Sequence, residues 1–392
     1  MKRSVLQLFG FLNQFVPKSK DRLLFISSPD LSDNSFALFV HMLEHTTHPC
    51  HYTWLVEDLS KRDAYLKMIA AYAPSSSQKR ICFIPKRSLG ALWHFMRAKY
   101  VFFTHGFFTG IPLPRHQIRL NLWHGMPLKA IGHLNPSGDS ATIPKASAVI
   151  ATSPLYQDVM GRAFDLPPQK VWVTGQPRCD LMREPQGCLE RLGIKKETYA
   201  RIIFWAPTFR VAKDHDIQDG TFNGNLPLMQ EGDLERLNTH LASMNACMVV
   251  KLHPMDILNT YALPSLSHIV VLQSDALQEK GCQLYALLSE VDILLTDLSS
   301  IYIDFLLLDR PIVFGIDDLE AYRSTRGYVF EEPQAYMPGP QVHSVDALID
   351  ALTQLIVDGE DTYAQQRQAL KARFHTHERD FSNRILERLK IG

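Results

Sequence analysis

Four short stretches of the chain carry the residue types that chemistry needs, and each follows or closes an apolar run of strand length. WHGMP (residues 123–127) sets an imidazole, His124, beside Gly125, a residue type that lets backbone approach a ligand closely. APTFR (206–210) ends on the guanidinium of Arg210, and KLHP (251–254) places His253 before a proline. TDLSS (296–300) brings a carboxylate, Asp297, and two hydroxyls, Ser299 and Ser300, to the start of a helix.

That helix, residues 301–308, is apolar almost all round and therefore expected to be buried. Its first turn would offer free N–H groups and the positive end of the macrodipole, which with two hydroxyls suit a phosphate. A Ser/Asp cap on an ordinary core helix is the alternative. Arg210 supplies forked donors, and His253 sits in the same kind of turn; beside a helix start, the two read as a diphosphate cradle. Asp304 lies four residues after Ser300, on the same side as Asp297. Arg323 and Arg326 either reach a phosphate of donor or acceptor or brace the RGY turn.

Such turns need elements to position them. Strand-length apolar runs occur at 23–26, 52–56, 81–84, 100–103, 118–122, 148–151 and 171–173, with helical periodicity at 34–44 and 89–97. A polar, proline-containing stretch at 183–198 interrupts the pattern, which resumes at 202–205, 248–252, 269–272, 293–295 and 311–314. The alternation predicts an α/β fold of two doubly wound, Rossmann-like units, 22–183 and 199–360, joined by a linker and followed by a helical tail at 361–392. Ligands of open α/β sheets bind outside the carboxyl ends of strands, so all four turns point to one cleft.

Composition narrows the function class. Lys+Arg and Asp+Glu are equal at 41 each among 392 residues, which leaves no global positive field to hold nucleic acid. Six scattered cysteines without a CxxC pair fit a reducing compartment, most simply the cytoplasm. Residues 1–21 read as an amphipathic segment too short and too interrupted to span a bilayer, with Val5, Leu8, Phe9, Leu12, Phe15 and Val16 on one side and Lys2, Arg3, Lys18, Lys20 and Arg22 at its ends. It would either pack on its own domain or lie on an anionic membrane. Of His41, His45, His48 and His51, the first two have i, i+4 helical spacing, but no HExxH pattern is present and the others fall in an expected loop, so the cluster reads as solvated histidines at a helix end.

The chain resembles the CDP-glycerol glycerophosphotransferase family of teichoic acid and capsule synthesis. The resemblance rests on NLWHGMPLKAIG, ATSPLYQDVM, VTGQPRCD, FWAPTFR, VKLHP, TDLSSIYIDFLLLDRPIVF and AYRSTRGYVFEEPQAYMPGP, in family order. It implies a GT-B architecture, an N-terminal acceptor domain and a C-terminal domain for a CDP-linked alditol, CDP-glycerol or CDP-ribitol, with no further cofactor and no metal. It also implies that His124 is the base for the acceptor hydroxyl, and that Arg210, His253, Ser299 and Ser300 contact the donor pyrophosphate, with Asp297 in the same motif. The expected acceptor is lipid-linked or a glycan polymer, reached at the inner face of the cytoplasmic membrane. Met126, Leu298 and Cys179 stand where the family often has threonine, tyrosine and asparagine; none of these departures removes a proposed charge or base. A GT-B glycosyltransferase using a nucleotide sugar, or a noncatalytic scaffold of a polymer-export assembly, would share the fold.

Overall fold

A computed structural model describes residues 3–46, 49–75, 80–106, 108, 111–136, 138, 143–207, 226, 228–251, 266–273, 275–316 and 327–391, with side chains from Phe9 onward. Two wholly parallel sheets are present. The first joins β1 (Ser19–Ile26), β2 (His51–Val56), β3 (Arg80–Pro85), β4 (Ala98–Phe103), β5 (Ile118–Asn121), β6 (Ala148–Ala151) and β7 (Val171–Val173) in the order β3-β2-β1-β4-β5-β6-β7. The second joins β8 (Arg201–Ala206), β9 (Ala246–Lys251), β10 (Ile269–Leu272), β11 (Ile293–Thr296), β12 (Ile312–Gly315) and β13 (Gln341–Val342) in the order β10-β9-β8-β11-β12-β13. Each is the Rossmann winding, with its order reversing between β1 and β4 and between β8 and β11.

Uninterrupted apolar runs form these strands because helices cover both faces of a parallel sheet. Leu23 to Ile26 are all at most 3% exposed, and Ile202 to Trp205 at most 2%. All twelve expected strands are present, with ends within two residues of expectation except that β1 begins four residues early, at Ser19. Only β13, two residues long, was not anticipated.

Three segments differ from expectation or sharpen it. The tail is not one helix over 362–389 but two, Ala364–Phe374 and Phe381–Leu389. The break is fixed by tertiary bonds: buried His375 places Nε2 2.7 Å from the Ile303 carbonyl, and the Thr376 N–H donates to Thr152 O. Beyond it, the Asp180 carboxylate accepts the N–H groups of Phe381 and Ser382, and Ile385, Leu386 and Leu389 enter the core of the first sheet. The linker is likewise anchored, since the buried Glu290 carboxylate accepts N–H bonds from Gln186, Cys188 and Leu189.

The N-terminal helix, Arg3–Phe15, does not bury its whole stripe: Phe9 and Val16 are half-buried, whereas Leu12 and Phe15 are 43% and 69% exposed. In the histidine cluster, the rings of His41 and His45 stack 4.2 Å apart, and His51 lies beside Asp21; His48 is outside the described residues. Among the described residues no three ligating side chains gather.

Candidate active site at the junction of two strand-end turns

β5 stops at Asn121, whose side-chain oxygen accepts the Trp123 N–H at 2.9 Å and turns the chain. Asn34, in the helix Asp33–His45, holds the turn from below, its Nδ2 donating to the carbonyls of Leu122 (2.9 Å) and Trp123 (3.0 Å). The resulting backbone is strained. Trp123 has φ +48° and Gly125 φ +135°, the first unusual for any bulky residue and the second open only to glycine. Local strain of this kind persists only where its surroundings over-determine it.

The turn presents the His124 ring, which is half-buried. Nδ1 lies 3.0 Å from the Thr104 carbonyl at the end of β4. A carbonyl can only accept, so in the neutral ring Nδ1 carries the proton and Nε2 is the basic nitrogen. His105 stacks on the ring at 4.2 Å with planes 7° apart, and Trp123 packs at 4.0 Å. Burial depresses the His124 pKa below its ordinary 6.5, the Thr104 carbonyl and Asp33 partly countering it and Arg178 adding to it. A neutral imidazole with a free Nε2 at pH 7 is a competent general base.

From the other sheet comes the 297–300 turn. The helix after it runs Ile301–Phe305 and tightens into a 3-10 turn, Leu306–Leu308; Ile301 to Leu306 are buried, as its composition predicts. Ser299 and Ser300 remain half-exposed, and the Ser300 hydroxyl makes no capping bond. Asp297 is 3% exposed. Thr296 Oγ1 donates to the Ala206 carbonyl at 2.8 Å, tying the ends of β11 and β8 together at the switch point from which the chain leads to Arg210.

The two turns touch. A Cβ built on Gly125 would collide with Ser300 Oγ and come within 3.0 Å of Ser300 Cβ and Arg178 Nη2. The segment after WHGMP also forms an isolated antiparallel bridge, Lys129 opposite Tyr328: Ala130 N–H donates to Gly327 O and Val329 N–H to Leu128 O. Thus the turn that carries His124 meets the turn that carries Ser299 through Gly125 and Ser300, with residues 327–329 beside the segment that follows the first. Arg210, His253, Arg323 and Arg326 lie outside the described residues. A separate small cavity, lined by Ile26, Phe95, Phe103, Phe108 and Arg119 among others, includes neither turn.

Asp304 does not face the junction as a ligand contact. It is wholly buried, and its carboxylate is taken by Arg178, Tyr285 and Gln176. His105, Asn34 and Arg178 belong to the site without having been singled out from sequence. For His105 a signal existed, since it stands two residues past an apolar run as His124 does. Asn34 carried none, because its bonds span 88 and 89 residues.

The chain is similar to polymerases of teichoic acid synthesis. The teichoic acid poly(glycerol phosphate) polymerase of Bacillus spizizenii is 27% identical over 294 residues, covering 69% of this chain and 69% of that protein. The teichoic acid ribitol-phosphate polymerase TarL of Staphylococcus aureus is 26% identical over 280 residues, 67% of this chain but 47% of its own length. The wall teichoic acid polymerase TagF superposes with TM-score 0.76 at 17% identity, covering 99% of this chain and 93% of that one, a likeness that shows the GT-B fold. The family description CDP-glycerol:poly(glycerophosphate) glycerophosphotransferase matches residues 8–390, nearly the full length, and the chain belongs to that family.

Proposed function

We propose that this chain transfers an alditol phosphate, glycerol phosphate or ribitol phosphate, from a CDP-linked donor to an acceptor hydroxyl and releases CMP, in synthesis of a teichoic acid or related capsule polymer. The observation that carries the proposal is the meeting of the His124 turn with the Ser299–Ser300 turn across the two sheets. His124 Nε2 removes the acceptor proton as that oxygen attacks the phosphorus bearing the alditol. A new P–O bond forms, the P–O bond to CMP breaks, and the charge on the departing phosphate is met by Ser299 and Ser300 together with Arg210 and His253. The diphosphate is itself the activated group, so the transfer as written calls for no cofactor beyond the donor.

The departures from the family pattern fall away from this chemistry. Met126, Leu298 and Cys179 are all at most 4% exposed and pack in one apolar core. The test is to incubate the protein with CDP-glycerol or CDP-ribitol and short polyol-phosphate primers, following CMP release and product mass. Absence of CMP with either donor and every primer would overturn the reading. A nucleotide-sugar transferase would instead release a nucleoside diphosphate.

Donor binding gives a second expected result. Ser300→Ala should weaken CDP binding by roughly 10-fold, as loss of one hydrogen bond to a charged group commonly does. Arg210→Ala should cost more, because it removes a bidentate, charge-assisted contact, and His253→Ala should fall between. Calorimetry with CDP reads all three; unchanged affinity throughout would place the cradle elsewhere.

The acceptor reading places the protein on the cytoplasmic face of an anionic membrane. Among the described residues no helix is long and apolar enough to cross a bilayer. What supports surface attachment is exposed apolar area: Phe11, Leu12 and Phe15 on the N-terminal helix, and Leu89 and Trp93 on the helix Leu89–Arg97. Both helices pack against one small core, through Phe9 and through Leu92 and Phe95. Lys18 is not part of the basic rim, since its ammonium is folded onto Asn13 and the Val16 carbonyl and burial lowers its pKa to about 8. Each remaining basic residue near the surface would contribute roughly 1 kcal/mol. Anionic vesicles should therefore pellet the full chain at low salt and release it at high salt, and should lose it when residues 1–20 are removed. Equal pelleting of both forms would refute the attachment role of the segment.

A further inference from the structure

Arg178 stands in the 3-10 turn Pro177–Met182 after β7 and is 4% exposed. Its guanidinium reaches into both halves of the chain. Nη1 donates to Asp33 Oδ1 at 2.9 Å, at the start of the helix Asp33–His45. Nε and Nη2 donate to Asp304 Oδ2 at 3.1 and 2.6 Å, in the helix that follows Ser300. The Tyr285 hydroxyl donates to the same oxygen at 2.7 Å, its ring lies 4.5 Å from the guanidinium carbon, and Gln176 Nε2 donates to Oδ1.

The network continues to the proposed base. The Arg178 N–H donates to Asn34 Oδ1 at 3.0 Å, and Asn34 Nδ2 holds the carbonyls on which the His124 turn hangs. An unbroken run of buried bonds thus links the backbone carrying His124 to the helix carrying Ser300. We propose that Arg178 is a positioning residue for the transfer, fixing the His124 turn against the Ser299–Ser300 turn so that the activated acceptor oxygen lies in line with the donor phosphorus. The proposal rests on the transferase reading above.

Two physical arguments favour positioning over mere cohesion. A buried ion pair is no better than apolar packing for stability, whereas a guanidinium fork satisfied on both edges admits one register between its partners. In-line transfer is also sensitive to that register, since a displacement of about 1 Å commonly costs on the order of 100-fold in rate. Each guanidinium nitrogen of Arg178 donates to a buried or half-buried protein carboxylate, which assigns it to holding the turns.

The test is Arg178→Lys, because one ammonium cannot bridge both carboxylates, with Tyr285→Phe as a milder second variant that removes only one bond to Asp304. Calorimetric stoichiometry with CDP counts the folded donor sites. Per CDP-binding site, Arg178→Lys should lose on the order of 100-fold in kcat with donor KM within about threefold of wild type; Tyr285→Phe should show the same split at several-fold. A merely structural role would lower the number of sites while leaving kcat per site intact, and that result, or an unchanged kcat in Tyr285→Phe, would overturn the proposal. Hydrogen exchange at 121–127 and 297–303 should quicken together in both variants, and unchanged exchange also counts against it. That arm does not depend on turnover: wild-type protein that releases no CMP defeats the transferase reading, while exchange still decides whether Arg178 braces the two turns.

Discussion

His124→Ala is expected to bind CDP as wild type does and to transfer roughly 10²- to 10⁴-fold more slowly, the span usual for loss of a general base. The separation follows from placement: His124 is carried by the first sheet, whereas Ser299 and Ser300 follow β11 of the second. Its hydrogen bond to Thr104 O leaves Nε2 as the proton acceptor, and burial lowers its pKa from 6.5. A base works while unprotonated, so kcat should hold at neutral pH, persist below pH 6.5 and fall only as the pH drops through the depressed value. Transfer rates from pH 5 to 8, with CDP calorimetry on the variant, check both halves. Near-normal turnover in His124→Ala would remove the residue from the mechanism; an acid limb above pH 6.5 would contradict its environment.

The sequence made this arrangement partly legible, and the reason is periodicity. Continuous apolar runs mark buried parallel strands, and turns with histidine, arginine or paired serines at their ends mark the carboxyl edge. The WHG and D-x-S-S turns could therefore be assigned to one cleft before any coordinates. What pattern cannot carry is which side chain faces which across distant sequence. Helical spacing put Asp304 on one side with Asp297, but its partner Arg178 lies 126 residues away and Asp33 is 145 from Arg178. A buried carboxylate and a ligand-facing one have the same local signature. So the spacing placed Asp304 beside Asp297 without revealing that its carboxylate is taken by Arg178. The tail misled for the same reason, since its break at 375–380 is imposed by contacts with Thr152, Ile303 and Asp180 and not by a local helix breaker.

Gly125→Ala is expected to be nearly as damaging to transfer as loss of the imidazole, and for a reason that reports on the junction itself. At φ +135° an alanine is strained by about 1–3 kcal/mol wherever it sits. Here its methyl would also strike Ser300 Oγ, with Ser300 Cβ and Arg178 Nη2 each at 3.0 Å. The Ser300 hydroxyl can rotate, but its Cβ is fixed to the backbone that opens the buried helix Ile301–Phe305, and Arg178 is held by Asp33 and Asp304. The turns must therefore separate, which should lower kcat by on the order of 100-fold. Ser300→Gly added to Gly125→Ala removes the collision with Ser300 but not the strain or the close approach of Arg178 Nη2. The double variant should then regain part of the lost stability, and its unfolding free energy should exceed the additive expectation by about 0.5–3 kcal/mol, as contacting residues do. Urea unfolding of the two single variants, the double variant and wild type measures this directly. Strict additivity would mean that the two turns do not touch, and with that the meeting of base and phosphate cradle across the sheets would lose its footing.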